Sequence, residues 1–126
     1  MEKIELILGD RVVTLCELSA AQALCAEGES GMYAYRLCAA GVNEQTARAV
    51  AHNAALCAHS LCNENGRLFF CARAAAKGLT LAQLAACAGR YKEAFLSESV
   101  RDGCFDEGGL NQGLIMKREV DADGSV

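Results

Sequence analysis

A chain of 126 residues, 52% apolar and 22% charged, suits one globular domain that buries roughly two thirds of its extended-chain surface, and this balance excludes an intrinsically disordered polypeptide. The net charge of −4 argues against a phosphate-binding surface, which depends on clustered Lys and Arg, so nucleic acid is not an expected partner. Met1-Glu2-Lys3-Ile4-Glu5 lacks the basic start and apolar stretch of a signal peptide, and no apolar run approaches the ~18 residues of a membrane span, so a cytoplasmic protein is expected.

Ile4, Leu6 and Leu8 alternate, Gly9-Asp10 offers a two-residue turn, and Val12, Val13 and Leu15 follow, which predicts a β-hairpin over residues 3–15. Its register sets Leu6 opposite Val13 and Ile4 opposite Leu15 on one apolar face, with Glu5, Thr14, Ile7 and Val12 on the other. An isolated ribbon is marginal, so the apolar face must lie on helices or on another subunit's strands. Thr14-x-x-Glu17 and Ser19-x-x-Gln22 are overlapping capping boxes; a helix starts at one of them and runs to about Glu27, where Gly28 ends it. Residues 27–31 read as a turn, and Met32 to Ala40 as a short helix stopped by Gly41. Asn43 caps the longest predicted helix, 44–63, along which Ala47, Val50, Ala51, Ala54, Cys57, Ala58, Leu61 and Cys62 recur at helical steps. Leu68, Phe69 and Phe70 lead a further helix to about Lys77, closed by Gly78. Thr80-x-x-Gln83 opens the last helix, whose Leu84, Cys87, Ala88, Tyr91 and Phe95 share a face. The expected fold is thus mainly α within the α+β class: an N-terminal hairpin and a bundle of four to five helices over residues 1–101, then a flexible acidic tail over 102–126.

The chemistry-bearing residues form no recognisable active site, and a non-enzyme without cofactor or metal is expected. Cys16, Cys25, Cys38, Cys57, Cys62, Cys71, Cys87 and Cys104 include no Cys-x-x-Cys pair, so a zinc knuckle is missing, and most of them read as reduced, small apolar side chains. His52, His59 and Cys62 share one helix face but fall short of the convergent ligand set a metal needs. Cys57 and His59, two apart on a helix, point away from each other and make no nucleophile pair. Asp121-Ala122-Asp123-Gly124 lacks the spacing of a calcium loop. Leu81 to Arg90 with Phe95 has the order of a helix-turn-helix, with Ala85 small and Gly89 at the turn, but Glu98 and Asp102 would repel phosphates. A DNA-binding regulator is therefore the second reading, and an uncharacterised helical adaptor, or an enzyme with an unrecognised site, the third.

Arg11-Val12-Val13-Thr14-Leu15-Cys16-Glu17-Leu18-Ser19-Ala20-Ala21-Gln22 resembles the start of the tail assembly chaperones of lambda-like long-tailed bacteriophages (minor tail protein G-like), where a short hairpin also runs into a Val-Thr-Leu-x-Glu-Leu-Ser-Ala-x-Gln sequence. The helix from Ala47 through Asn63 is similar in placement to that family's central helix, and residues 80–100 take the place of its last one. The likeness covers about residues 3–101; the segment from Gly28 to Gly41 and the many cysteines depart from it. The resemblance implies a phage or prophage chaperone in the bacterial host cytoplasm that binds the tape-measure protein while tail-tube subunits polymerise around it, with tape-measure and tail-tube proteins as partners. Candidate contacts are the stripe Val50, Ala54, Cys57 and Leu61 and the aromatic pair Phe69 and Phe70, each of which also suits an ordinary core. Helices lined by small residues bury little area each, so self-association to a homo-oligomer is a further expectation.

Overall fold

The computed structural model describes residues 2–96. The predicted hairpin is present as β1 (Lys3–Leu8) and β2 (Arg11–Cys16), turned at Gly9 with φ +64, a conformation that costs glycine nothing. Its register pairs Leu6 with Val13 and Ile4 with Leu15, as the alternation predicts. Leu8, Val13 and Leu15 are buried, and Ile7 and Val12, opposite one another on the other face, are exposed.

Helix α1 (Ala20–Ala39) corrects the two-helix expectation. The Ser19-x-x-Gln22 box forms, with the Gln22 N–H donating to Ser19 Oγ and the Ser19 N–H to Gln22 Oε1, while Thr14 is used inside β2. Gly28 and Gly31 do not stop the helix. Burial of Ala26, Ser30 and Ala34 at four-residue steps outweighs a glycine penalty of ~1 kcal/mol each. The stop is Gly41, at φ +100, where the Val42 N–H reaches Leu37 O and the Gly41 N–H reaches Cys38 O, a Schellman closure.

Helix α2 (Glu44–Ser60) starts at Asn43, whose Oδ1 accepts the Thr46 N–H. It ends three residues earlier than its periodicity predicts. Leu61 turns extended and enters β3 (Leu61–Asn63), paired antiparallel with β2, and β3 pairs with β4 (Gly66–Arg67). The helical spacing of Leu61 and Cys62 is overruled because β2 offers an unpaired edge, and Asn63 Oδ1 accepts the Asn65 N–H to form the turn. The result is one sheet of order β1-β2-β3-β4.

Residues 68–71 are likewise outside any helix: α3 runs from Ala72 to Gly78 and α4 from Leu81 to Phe95. The Thr80-x-x-Gln83 box forms reciprocally. Leu84, Cys87, Ala88 and Tyr91 are buried on α4, as predicted, and Phe95 of the same predicted face is half-buried. The described residues form four helices, and the class is α+β. The packing centre is α2, which touches α1, α3, β2 and β4 and buries Ala47, Ala51, Ala54, Ala55, Cys57, Ala58 and Ser60. Alanine on both sides of the α1–α2 contact lets the backbones approach closely, where each pair of atoms contributes little and the sum is large. Residues up to Tyr91 cluster as one unit and those from Lys92 onward as a second, of which only Lys92–Leu96 are described. The tail expected over 102–126 and the boundary at 101 lie outside the described residues, as do Cys104 and the Asp121–Gly124 segment. No described helix is long and apolar enough to cross a membrane.

Candidate protein-binding surface

Three of the six predicted contact residues are sealed inside the protein. Ala54, Cys57 and Leu61 are at most 1% exposed, and Val50 is half-buried. Small apolar residues at helical spacing do mark a packed face here, but the face belongs to this chain's own core. Leu61, in β3 rather than α2, pairs with Leu15. The aromatic pair divides: the Phe69 ring lies against Gly78, where an added Cβ would come 2.5 Å from Cε1, and Phe70 stands 92% exposed. The structure therefore does not bring the six together.

What it does present is α1. Of twenty residues only Ala26, Ser30 and Ala34 are buried, and Leu24, Met32 and Tyr35 are each at least 65% exposed. A cleft of about 680 Å³ opens between α1 and α2, and of these three Tyr35 lines it. Its lining includes the small residues Ser30, Gly31 and Ala34 and, from α1, also Glu27, Tyr35 and Cys38; α2 contributes Glu44, Arg48 and His52 at four-residue steps. Arg48 pairs with Glu44 at 2.6 Å in solvent. A Cβ on Gly28 or Gly31 would meet nothing within 4 Å, so neither glycine is demanded by internal packing. The periodicity of Leu24, Gly28, Met32 and Tyr35 was available to the sequence reading, but reading Gly28 as a stop broke it.

The polar groups around this surface are structural. Glu29 Oε1 meets His59 Nε2 at 2.8 Å, and Glu29 Oε2 accepts the Ala72 N–H at 2.7 Å, so one carboxylate joins α1, α2 and the start of α3. Arg67 donates from Nε to Ala58 O and from Nη2 to Phe70 O. The Leu18 N–H donates to the Tyr91 hydroxyl at 2.9 Å, which ties the segment after β2 to α4; burial pushes the Tyr91 hydroxyl up from its ordinary value, against the lowering effect of that hydrogen bond.

Four of the described thiols fall into two pairs, while Cys25 and Cys38 are exposed and Cys71 is half-buried. The Cys57 thiol hydrogen-bonds to Cys87 and also donates to Leu84 O at 3.7 Å; this pushes Cys57 far up and, through the same bond, holds Cys87 down. Both are about 1% exposed, out of reach of a substrate. Cys16 and Cys62 lie diagonally across β2 and β3 on the outer sheet face; burial first, then Cys16, pushes the Cys62 thiol up to about 11. His59 turns to Glu29 and Cys57 to α4, so the two do not meet. No group of three or more His, Cys, Asp or Glu among the described residues is arranged to hold a metal ion. Helix α4 runs unbroken through Gly89, so the stretch from Ala85 to Phe95 contains no turn between two helices. No family model, no curated protein and no solved structure matches the chain.

Proposed function

We propose that this protein is a non-catalytic chaperone that holds helical segments of another chain, and specifically a phage or prophage tail assembly chaperone for the tape-measure protein, acting in the bacterial cytoplasm. The observation that carries the reading is the exposure of α1, a twenty-residue helix buried along one narrow stripe, with Leu24 and Met32 open to solvent and Tyr35 lining a cleft that also contains Gly31 and Ala34. Exposed apolar side chains on α1, next to a groove lined by small residues of that helix and by Glu27, Glu44, Arg48 and His52, suit an amphipathic helix that carries both apolar and charged positions. The resemblance of residues 11–22 to the chaperone family supplies the identity of the client. The contact set moves accordingly from the buried stripe to Leu24, Met32, Tyr35 and Phe70.

Co-expression with the tape-measure protein of the same phage tests this. A soluble complex is expected, and a client that stays insoluble with no complex sinks the reading. Gly31→Leu separates docking from folding: Leu in place of a mid-helix glycine with free space above it keeps the fold and raises helix propensity, while its side chain fills the cleft and weakens client capture at least ten-fold.

A further inference from the structure

Strand β1 is an edge of the sheet. The two-residue turn makes Leu8 and Arg11 a hydrogen-bonded pair, so Ile4, Leu6 and Leu8 direct their backbone groups to β2. Glu2 continues the series, its carbonyl accepting the Glu17 N–H at 2.8 Å. The N–H and C=O groups of Lys3, Glu5 and Ile7 therefore face outward, where no described strand pairs with them. On the side facing the helices, Ile4 and Leu6 are only half-buried, whereas Leu8, Val13 and Leu15 further in are buried. On the solvent side Lys3 and Glu5 stand one residue either way from Ile4, opposite in charge and both exposed.

We propose that β1 pairs antiparallel with β1 of a second copy of this chain, about a two-fold axis at Ile4, so that the two sheets join edge to edge in a dimer. The outward backbone groups decide which axes are open, because odd residues must face odd residues and the axis must pass through a residue. Charge then chooses among them. An axis at Glu5 sets two carboxylates directly opposite each other, and one at Leu6 sets Lys3 opposite the turn at Gly9. The axis at Ile4 sets Lys3 of each copy opposite Glu5 of the other, twice over, and brings the two Ile4 side chains together on the helix side, completing their burial. The pairing is independent of the function proposed above.

Sedimentation of the full chain under reducing conditions tests it, with a concentration-dependent dimer expected. Lys3→Glu or Glu5→Lys replaces both cross-copy attractions by repulsions and weakens the dimer roughly ten-fold; the double swap restores it, and at concentrations where the parent is monomeric all three variants keep its melting curve because both residues are exposed. As a second measurement, Ile4→Cys on the axis, where the Cα atoms of a non-hydrogen-bonded pair approach to about 4.5 Å, gives a reducible covalent dimer with oxidised glutathione. Leu6→Cys, set opposite Glu2 of the other copy, does not. A chain that stays monomeric at all concentrations, or a dimer indifferent to the single reversals, or a double swap as weak as either single, overturns the proposal.

Discussion

Gly78 ends α3 with the Phe69 ring so close that a Cβ would lie 2.5 Å from Cε1, so the half-buried ring must shift to admit it. Gly78→Ala should therefore lower stability by about 1–3 kcal/mol in urea unfolding, the cost of overpacking. Gly28 faces open space in mid-helix, and Gly28→Ala should raise stability by about 0.5–1 kcal/mol in the same assay. The Cys62 thiol gives a pH signature. Its pKa in the folded protein, about 11, lies above the ordinary 9.0, so the protonated thiol is favoured by folding. The stability it contributes is complete below about pH 9 and is lost as pH rises through about 11. Melting temperature should fall across that window, with Tyr91 acting in the same direction, and Cys62→Ala should flatten part of the fall.

At the level of elements, Glu29 is the joint among α1, α2 and α3. Glu29→Ala leaves the His59 ring and the Ala72 N–H without this partner and should cost about 1–3 kcal/mol, with hydrogen exchange in α3 accelerating more than in α4. The hairpin and its register were legible because a two-residue turn and a period of two are local properties, and the caps at Ser19, Asn43 and Thr80 were legible because each is completed within three residues. Gly28 and Gly31 misled because α1 is held together by burial against α2 and by Glu29, neither of which is local. Leu61 and Cys62 keep perfect helical spacing with Cys57 and Ala58, yet the edge of β2, more than forty residues earlier, draws them into a strand. The candidate site failed for a related reason: Ala54 and Cys57 identify a packed face, and nothing in spacing says whether the neighbour is this chain or another.

Across the molecule, the large apolar side chains left outside cluster on few elements: Leu24, Met32 and Tyr35 on α1, Ile7 and Val12 on the hairpin, Phe70 before α3, and Leu81 at the start of α4. Replacing Leu24 and Met32 by Ser should change stability by less than about 1 kcal/mol, since both are already in water, and should reduce co-purification of the client several-fold. That contrast separates a binding face from a folding one. The sheet itself is split in the chain: β1 and β2 precede α1 and α2, and β3 and β4 follow them. A ribosome releases the hairpin before α1 and α2, and the far side of β2 stays bare until both long helices have emerged and delivered Leu61 to Leu15. The newborn protein thus displays an adhesive margin for the time it takes to synthesise residues 17–60. The swift, local winding of two alanine-rich helices is what brings that interval to a close.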